Sequence, residues 1–240
     1  MILYLTSSPC VIGADRALLN PQNGFLDHLK ADVRPGCNCL YVASSPDDSD
    51  ANRRYSWDMY NAFAEAGMLF REMRILQRDT AANAKALIQW SNLIIMAGGH
   101  VPTQNDFFTE INLGGLLKDY AGVVIGISAG SMNCAREVYA QPEMPGETLD
   151  PHYRRFVPGL DLTEIQVLPH YQQVKDDILD GKRLYEDITF ADSCGHRFLV
   201  LPDGSYVCVR NGISMLQGEA YLLSNRRMRK ICADGQSVVL

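Results

Sequence analysis

Short, nearly wholly apolar runs that stop at small residues, each followed by a helical pattern, restrict this chain to few architectures. The runs are Ile2–Thr6, Cys39–Ser44, Leu93–Ala97 and Val123–Ile127. A strand buried on one face alternates apolar and polar residues, whereas a strand buried on both faces reads as a continuous apolar run. The chain is therefore expected to build a mainly parallel sheet with helices on both sides, a three-layer α/β/α arrangement. Between the runs, Asp50 is placed to cap a helix whose Tyr55, Met59, Ala62, Phe63 and Ala66 share one face, with Gly67 as its stop. Met68–Leu76 reads as a strand, Thr80–Trp90 as an Ala-rich helix, and Asp106–Tyr120 as a helix weakened in its middle by Gly114-Gly115. The last third differs. Arg197–Leu201, Tyr206–Arg210, Ile213–Gln217 and Ala220–Leu223 are short strand patterns separated by Pro202-Asp203-Gly204 and Asn211-Gly212 turns. They predict antiparallel hairpins that close one edge of the sheet.

At 240 residues the chain is expected to form a single domain, 1–240. It is 47% hydrophobic and 21% charged, enough to bury a core. Its formal charge of −6 argues against nucleic-acid partners, which require a basic face. No apolar stretch approaches the roughly 20 residues that span a bilayer, and Met1–Thr6 lacks the basic start of a signal peptide. Seven scattered cysteines, an odd number, disfavour a disulfide framework and point to a reducing cytoplasm. Cys37-Asn38-Cys39 has no second ligand pair at zinc spacing, so neither a metal nor another cofactor is expected.

The chemistry lies in Val123-Val124-Ile125-Gly126-Ile127-Ser128-Ala129-Gly130-Ser131-Met132-Asn133. Strand, Gly-x-Ser-x-Gly and helix in succession is the context of a nucleophile elbow, a sharp turn that lifts a serine hydroxyl above the strand ends. Gly126, Ala129 and Gly130 are small because larger side chains would clash across so tight a turn. The backbone N–H of Ala129 is the natural first oxyanion donor. A packing turn or a phosphate cradle is the competing reading of such a segment, and the dinucleotide Gly-x-Gly-x-x-Gly pattern is absent. Of the five histidines, His170 follows a predicted strand, Thr163–Leu168, and so falls at a strand's carboxyl end. His152 sits in a polar loop, His28 in a helical pattern expected to be solvated, and His196 ahead of a C-terminal strand where a structural role is expected. Glu137, Glu143, Glu147, Asp150, Asp161 and Glu164 lie between Ser128 and His170, and the residues alone leave the orienting acid open among them.

Leu93-Ile94-Ile95-Met96-Ala97-Gly98-Gly99, the elbow, and Pro169-His170-Tyr171 together resemble the aspartyl dipeptidase (dipeptidase E) and cyanophycinase family of serine peptidases. The resemblance runs from about Ile2 to Gly212. It implies a class I glutamine amidotransferase-like, flavodoxin-like fold in which Ser128 is the nucleophile and His170 the general base. Glu143, in Glu143-Met144-Pro145, matches the family's acid, and the N–H of Gly99 the second oxyanion donor. Where the family runs Asn-Thr-Phe-Gln after the paired glycines, this chain has His100-Val101-Pro102-Thr103-Gln104, which places His100 at the substrate. Arg136 is the nearest basic residue for an acidic substrate side chain. The implied partners are a short peptide substrate, with an acidic N-terminal residue if the dipeptidase specificity carries over, and at most a second copy of the chain in a homodimer. The alternatives are an esterase, an amidotransferase-like protein, which would need cysteine at position 128, and a non-catalytic binding protein that keeps the fold.

Overall fold

The structure is a computed structural model and describes residues 1–11 and 13–240. The four apolar runs become β1 (Ile2–Thr6), β2 (Asn38–Val42), β4 (Leu93–Met96) and β5 (Val123–Ile127), and the second half of the predicted Met68–Leu76 strand becomes β3 (Glu72–Leu76), giving five parallel strands in the spatial order β1-β5-β4-β2-β3. Their residues alternate between two apolar layers, as a sheet covered on both faces demands. Leu3, Leu5, Leu40, Val42, Ile94, Met96 and Val124 face one layer. Tyr4, Cys39, Tyr41, Leu93, Ile95, Val123 and Ile125 face the other. The first is covered by α3 (Ala84–Trp90), α4 (Val101–Glu110) and α5 (Leu113–Leu117), the second by α1 (Phe25–Asp32) and α2 (Ser49–Glu65). No helix is long and apolar enough to cross a membrane, among the described residues.

The helices depart from their predicted bounds for local reasons. α2 is capped by Asp48, whose carboxylate accepts from the Ala51 N–H, and not by Asp50. Its buried face is Asn52, Ser56, Met59, Ala62 and Phe63, so Tyr55, expected on that face, is exposed. α4 begins at Val101, five residues ahead of the predicted start, because Pro102 falls in the first turn, where its missing N–H is not needed. Helical structure then breaks at Asn112, which takes a left-handed conformation (φ 52°), before α5 resumes.

After β5 comes the single turn α6 (Ala129–Met132). β6 (Glu137–Tyr139) and β7 (Phe156–Pro158) form a separate antiparallel ribbon. β8 (Gln166–Leu168) leads into His170 and α7 (Tyr171–Val174), followed by a hairpin of β9 (Ile178–Leu179) and β10 (Lys182–Arg183). Six strands finish the chain: β11 (Arg197–Val200), β12 (Tyr206–Arg210), β13 (Ile213–Gln217), β14 (Ala220–Ser224), β15 (Arg227–Cys232) and β16 (Ser237–Val239). β12 pairs antiparallel with β1 and carries β13 and β16 outward, extending the large sheet to eight strands. β11 and β14 do not join that edge as predicted. They make a second sheet, β15-β14-β11-β8, in which β11 runs parallel to β8 with Val200 opposite Leu168. That pairing brings the ends of β8 and β11 out side by side.

Candidate active site

The site is assembled where β1, β4, β5, β8 and β11 end. Ser128 caps β5 with φ 51° and ψ −113°, a conformation that a side chain-bearing residue rarely adopts and that costs about 1–3 kcal/mol. Neighbouring groups hold it there. The Ser128 N–H donates to the Thr6 (3.1 Å) and Ser7 (3.2 Å) carbonyls at the end of β1, and the Ser128 carbonyl accepts from the N–H groups of Ser131 and Met132. The small residues are required. A Cβ on Gly126 would lie 2.7 Å from the Ser131 backbone, and one on Gly130 would lie 2.4 Å from the Met96 carbonyl. The Gly98-Gly99 turn lies against the elbow, because a Cβ on Gly98 would come within 3.3 Å of the Ser128 Cβ. A buried amide chain fixes that approach. Gln104 donates to the Ala97 carbonyl, Asn133 to Gln104 Oε1, and Asn105 to Asn133 Oδ1. The N–H groups of Gly99 and Ala129 are both free of hydrogen bonds to described backbone carbonyls.

His170, in a left-handed conformation (φ 57°), follows β8. Its Nδ1 lies 2.8 Å from Oδ1 of Asp203, whose side chain is 2% exposed. Asp203 collects three further donors: the Ser7 hydroxyl (2.6 Å), Gln172 Nε2 (2.5 Å) and Gln173 Nε2 (2.6 Å). A carboxylate that takes up four donors is acting purely as an acceptor, so the His170 ring proton sits on Nδ1. In the neutral ring this puts the lone pair on Nε2, the tautomer a general base needs. Ser7 braces both ends, its hydroxyl accepting from the His170 N–H (2.7 Å) while donating to Asp203. Burial by itself would raise the Asp203 carboxyl, but the bonds from His170, Ser7 and Gln172 outweigh it and hold the group below the usual carboxylate range.

A group held below its unfolded value contributes stability above the unfolded pKa and loses it as pH falls through the folded one. Asp203→Asn is therefore expected to unfold more readily than the parent protein at neutral pH. The gap should close as the pH drops below about 4, into the range where the unfolded-state carboxyl is protonated. Denaturant midpoints of the two proteins at pH 7 and pH 3 check this, and a gap of equal size at both pH values would contradict it.

Ser128 and His170 open into a common cavity of about 270 Å³, together with Gly99 and Glu143. A groove of about 810 Å³ lies at the opposite, amino-terminal end of the parallel strands, against Ile2, Gly122 and Val123, and contains none of these residues. The other expected site residues are placed as follows. Glu143 lines the cavity but does not hold the His170 ring. Its Oε1 instead accepts from the Val101 N–H at 3.4 Å, at the start of α4. Desolvation against the cavity wall raises its carboxyl, while His100, the Val101 amide and His170 pull it back down. His100 does not line the cavity, and both its ring nitrogens are engaged, Nε2 with Glu147 Oε1 and Nδ1 with the Thr103 hydroxyl, each at 2.7 Å. Glu147 also accepts from the N–H groups of Glu143 and Met144, so the His100–Glu147 pair pins the loop that carries Glu143. Arg136 lies away from the cavity, exposed and paired with Asp161 (2.9 Å) and Glu164 (2.6 Å). His28, expected to be solvated, packs its Nδ1 2.6 Å from the Tyr206 hydroxyl. His196 stacks on Phe156, and His152 is exposed.

Asp203 is not among the sequence's candidate residues, and Ser7 is marked there only as the small residue at the carboxyl end of the first apolar run, where such sheets place their sites. Asp203 lies in Pro202-Asp203-Gly204, which reads as a turn, and beyond the span between Ser128 and His170 that holds the candidate acids. It follows β11, whose parallel pairing with β8 brings it to His170, and that pairing has no signature in the sequence.

A strained serine at a strand-to-helix bend, a histidine of fixed tautomer and a buried carboxylate define the class of nucleophile-elbow hydrolases. The sequence pattern of peptidase family S51 matches residues 37–215, so the chain belongs to this family of serine peptidases, which includes dipeptidase E and cyanophycinase. No curated protein matches the chain. Among solved structures, the fold is similar to that of a peptidase from an acI-B1 Actinobacterium, at 18% identity and a TM-score of 0.69, covering 100% of this chain and 96% of that one. It is also similar to a candidate peptidase E protein from Listeria monocytogenes EGD-e, at 13% identity and a TM-score of 0.61, covering 96% and 98%.

Proposed function

We propose that this serine peptidase hydrolyses short peptides with Ser128 as nucleophile, His170 as general base and acid, and Asp203 as the residue that orients His170, residues 1–240 working as one domain. The observation that carries the reading is the Nδ1–Asp203 contact, because it leaves Nε2 free to take the serine proton. Ser128 Oγ adds to the peptide carbonyl as its proton passes to His170, and the carbonyl oxygen becomes an oxyanion. The N–H groups of Gly99 and Ala129 receive it, each such donor contributing on the order of 3 kcal/mol in the transition state. The carbonyl reforms as the C–N bond breaks, and His170 returns the proton to the departing amine. Water, deprotonated by His170, then cleaves the acyl-enzyme and regenerates the serine.

Short substrates suit a cavity of about 270 Å³, smaller than most ligand pockets. A serine-directed fluorophosphonate is expected to attach one label to Ser128, mapped by mass spectrometry of the digest, and to leave Ser128→Ala unlabelled. Label on the parent at another residue, or equal labelling of the variant, would overturn the assignment.

A further inference from the structure

We propose that Glu143 reads the free α-ammonium group of an N-terminal residue whose side chain is aliphatic and uncharged, so that the site favours neutral over acidic N-terminal residues. This rests on the peptidase reading above. The cavity wall beside Ser128 carries its own selectivity. Its ionisable side chains are Glu143, Asp177 and His170, and no lysine or arginine lines it. A substrate carboxylate entering beside two carboxylates would shed water without gaining a counter-charge, a strongly unfavourable exchange. Val101, Met132, Val174, Ile178, Leu179 and Leu184 form an apolar wall matched to an aliphatic side chain.

Glu143 is the carboxylate placed for an ammonium group. It shares the cavity with the nucleophile, and its one hydrogen bond, from the Val101 N–H, is long at 3.4 Å. No donor among the described residues reaches the second oxygen, which a cation in the cavity would engage. Its loop is fixed from two sides. Glu147 accepts from the Glu143 N–H, and Asp180, in the turn of the β9–β10 hairpin, accepts from the N–H groups of Gly146 and Thr148. The carboxylate is thus held in position before substrate arrives, which limits the ordering entropy of binding. The cavity's small volume, closed by the same loop and hairpin, suits the single residue on the acyl side of a scissile bond.

The test uses the whole protein and three aminoalkylphosphonate diphenyl esters that label an active serine: the leucine analogue with a free amine, the same compound N-acetylated, and the aspartate analogue with a free amine. The expected result on the parent protein is that the free leucine analogue inactivates about ten- to a hundredfold faster than either of the others, the range of a hydrogen bond to a charged group. In Glu143→Gln the advantage of the free over the acetylated leucine probe should collapse, and Glu143→Asp should restore part of it. Equal rates for free and acetylated probes, or faster labelling by the aspartate analogue, would overturn the inference. If a general fluorophosphonate labels Ser128 while the three probes do not discriminate, this specificity falls and the peptidase reading stands. If the general reagent fails to label Ser128, both fall.

Discussion

Ser128→Gly is expected to yield a protein that unfolds later than the parent and has lost peptide hydrolysis. At φ 51° and ψ −113° the serine backbone holds about 1–3 kcal/mol of strain that glycine does not incur. Glycine loses about 0.5–1 kcal/mol more on folding through its unfolded-state freedom. The net gain is about 1 kcal/mol, a rise of roughly 2–4 °C in Tm for a chain of this size. Removing the hydroxyl should lower kcat by about 10⁶, the loss found when the nucleophile of such a unit is deleted. Ser128→Ala separates the two effects, because alanine removes the hydroxyl but keeps the strained backbone. Its activity should fall equally while its Tm stays near the parent's. Thermal melts of the three proteins check this. A glycine variant no more stable than the alanine variant would mean that the elbow stores no strain.

The second large effect distinguishes the two acids. Asp203→Asn is expected to lower kcat by about 10⁴, with the protein folded at neutral pH. An amide at this position presents an N–H₂ to Nδ1, which would move the ring proton to Nε2 and abolish the base. Glu143→Gln is expected instead to raise KM by tenfold or more while kcat changes by less than tenfold, because this side chain does not hold the His170 ring. Steady-state kinetics on one short peptide resolves the pair. A kcat loss concentrated in Glu143→Gln, with Asp203→Asn active, would reverse the assignment of the orienting acid.

What the sequence made legible follows from how local each constraint is. Four of the five parallel strands could be read because strands buried on both faces, such as Leu93–Met96, leave no polar alternation to confuse them, whereas β3 lies at the sheet edge and alternates exposed with half-buried residues. The elbow could be read because Gly126 and Gly130 are sterically obligatory, with backbone within 3 Å of where a Cβ would sit. His170 could be read from its place after a strand. Asp203 could not, because Pro-Asp-Gly is also what a turn requires, and because the Arg197–Leu201 pattern predicts an antiparallel arm while β11 also pairs in parallel with β8 on its other side. A residue 33 positions beyond the histidine becomes its neighbour through strand pairing, which no spacing rule conveys. The misplaced candidates share the opposite cause. Arg136 and His100 lie close in sequence to the elbow and to the Gly98-Gly99 turn, but the first is drawn outward by Asp161 and Glu164 and the second is held by Glu147 and Thr103. Glu143 shows both effects, standing at the site but bonded to the start of α4.

The most direct measurement is a crystal structure of the protein inactivated by the fluorophosphonate. The account predicts phosphorus bonded to Ser128 Oγ, the phosphoryl oxygen within about 3 Å of the Gly99 and Ala129 nitrogens, and His170 Nδ1 still on Asp203. An adduct on any other side chain, or a His170 ring turned from Asp203 to Glu143, would contradict it.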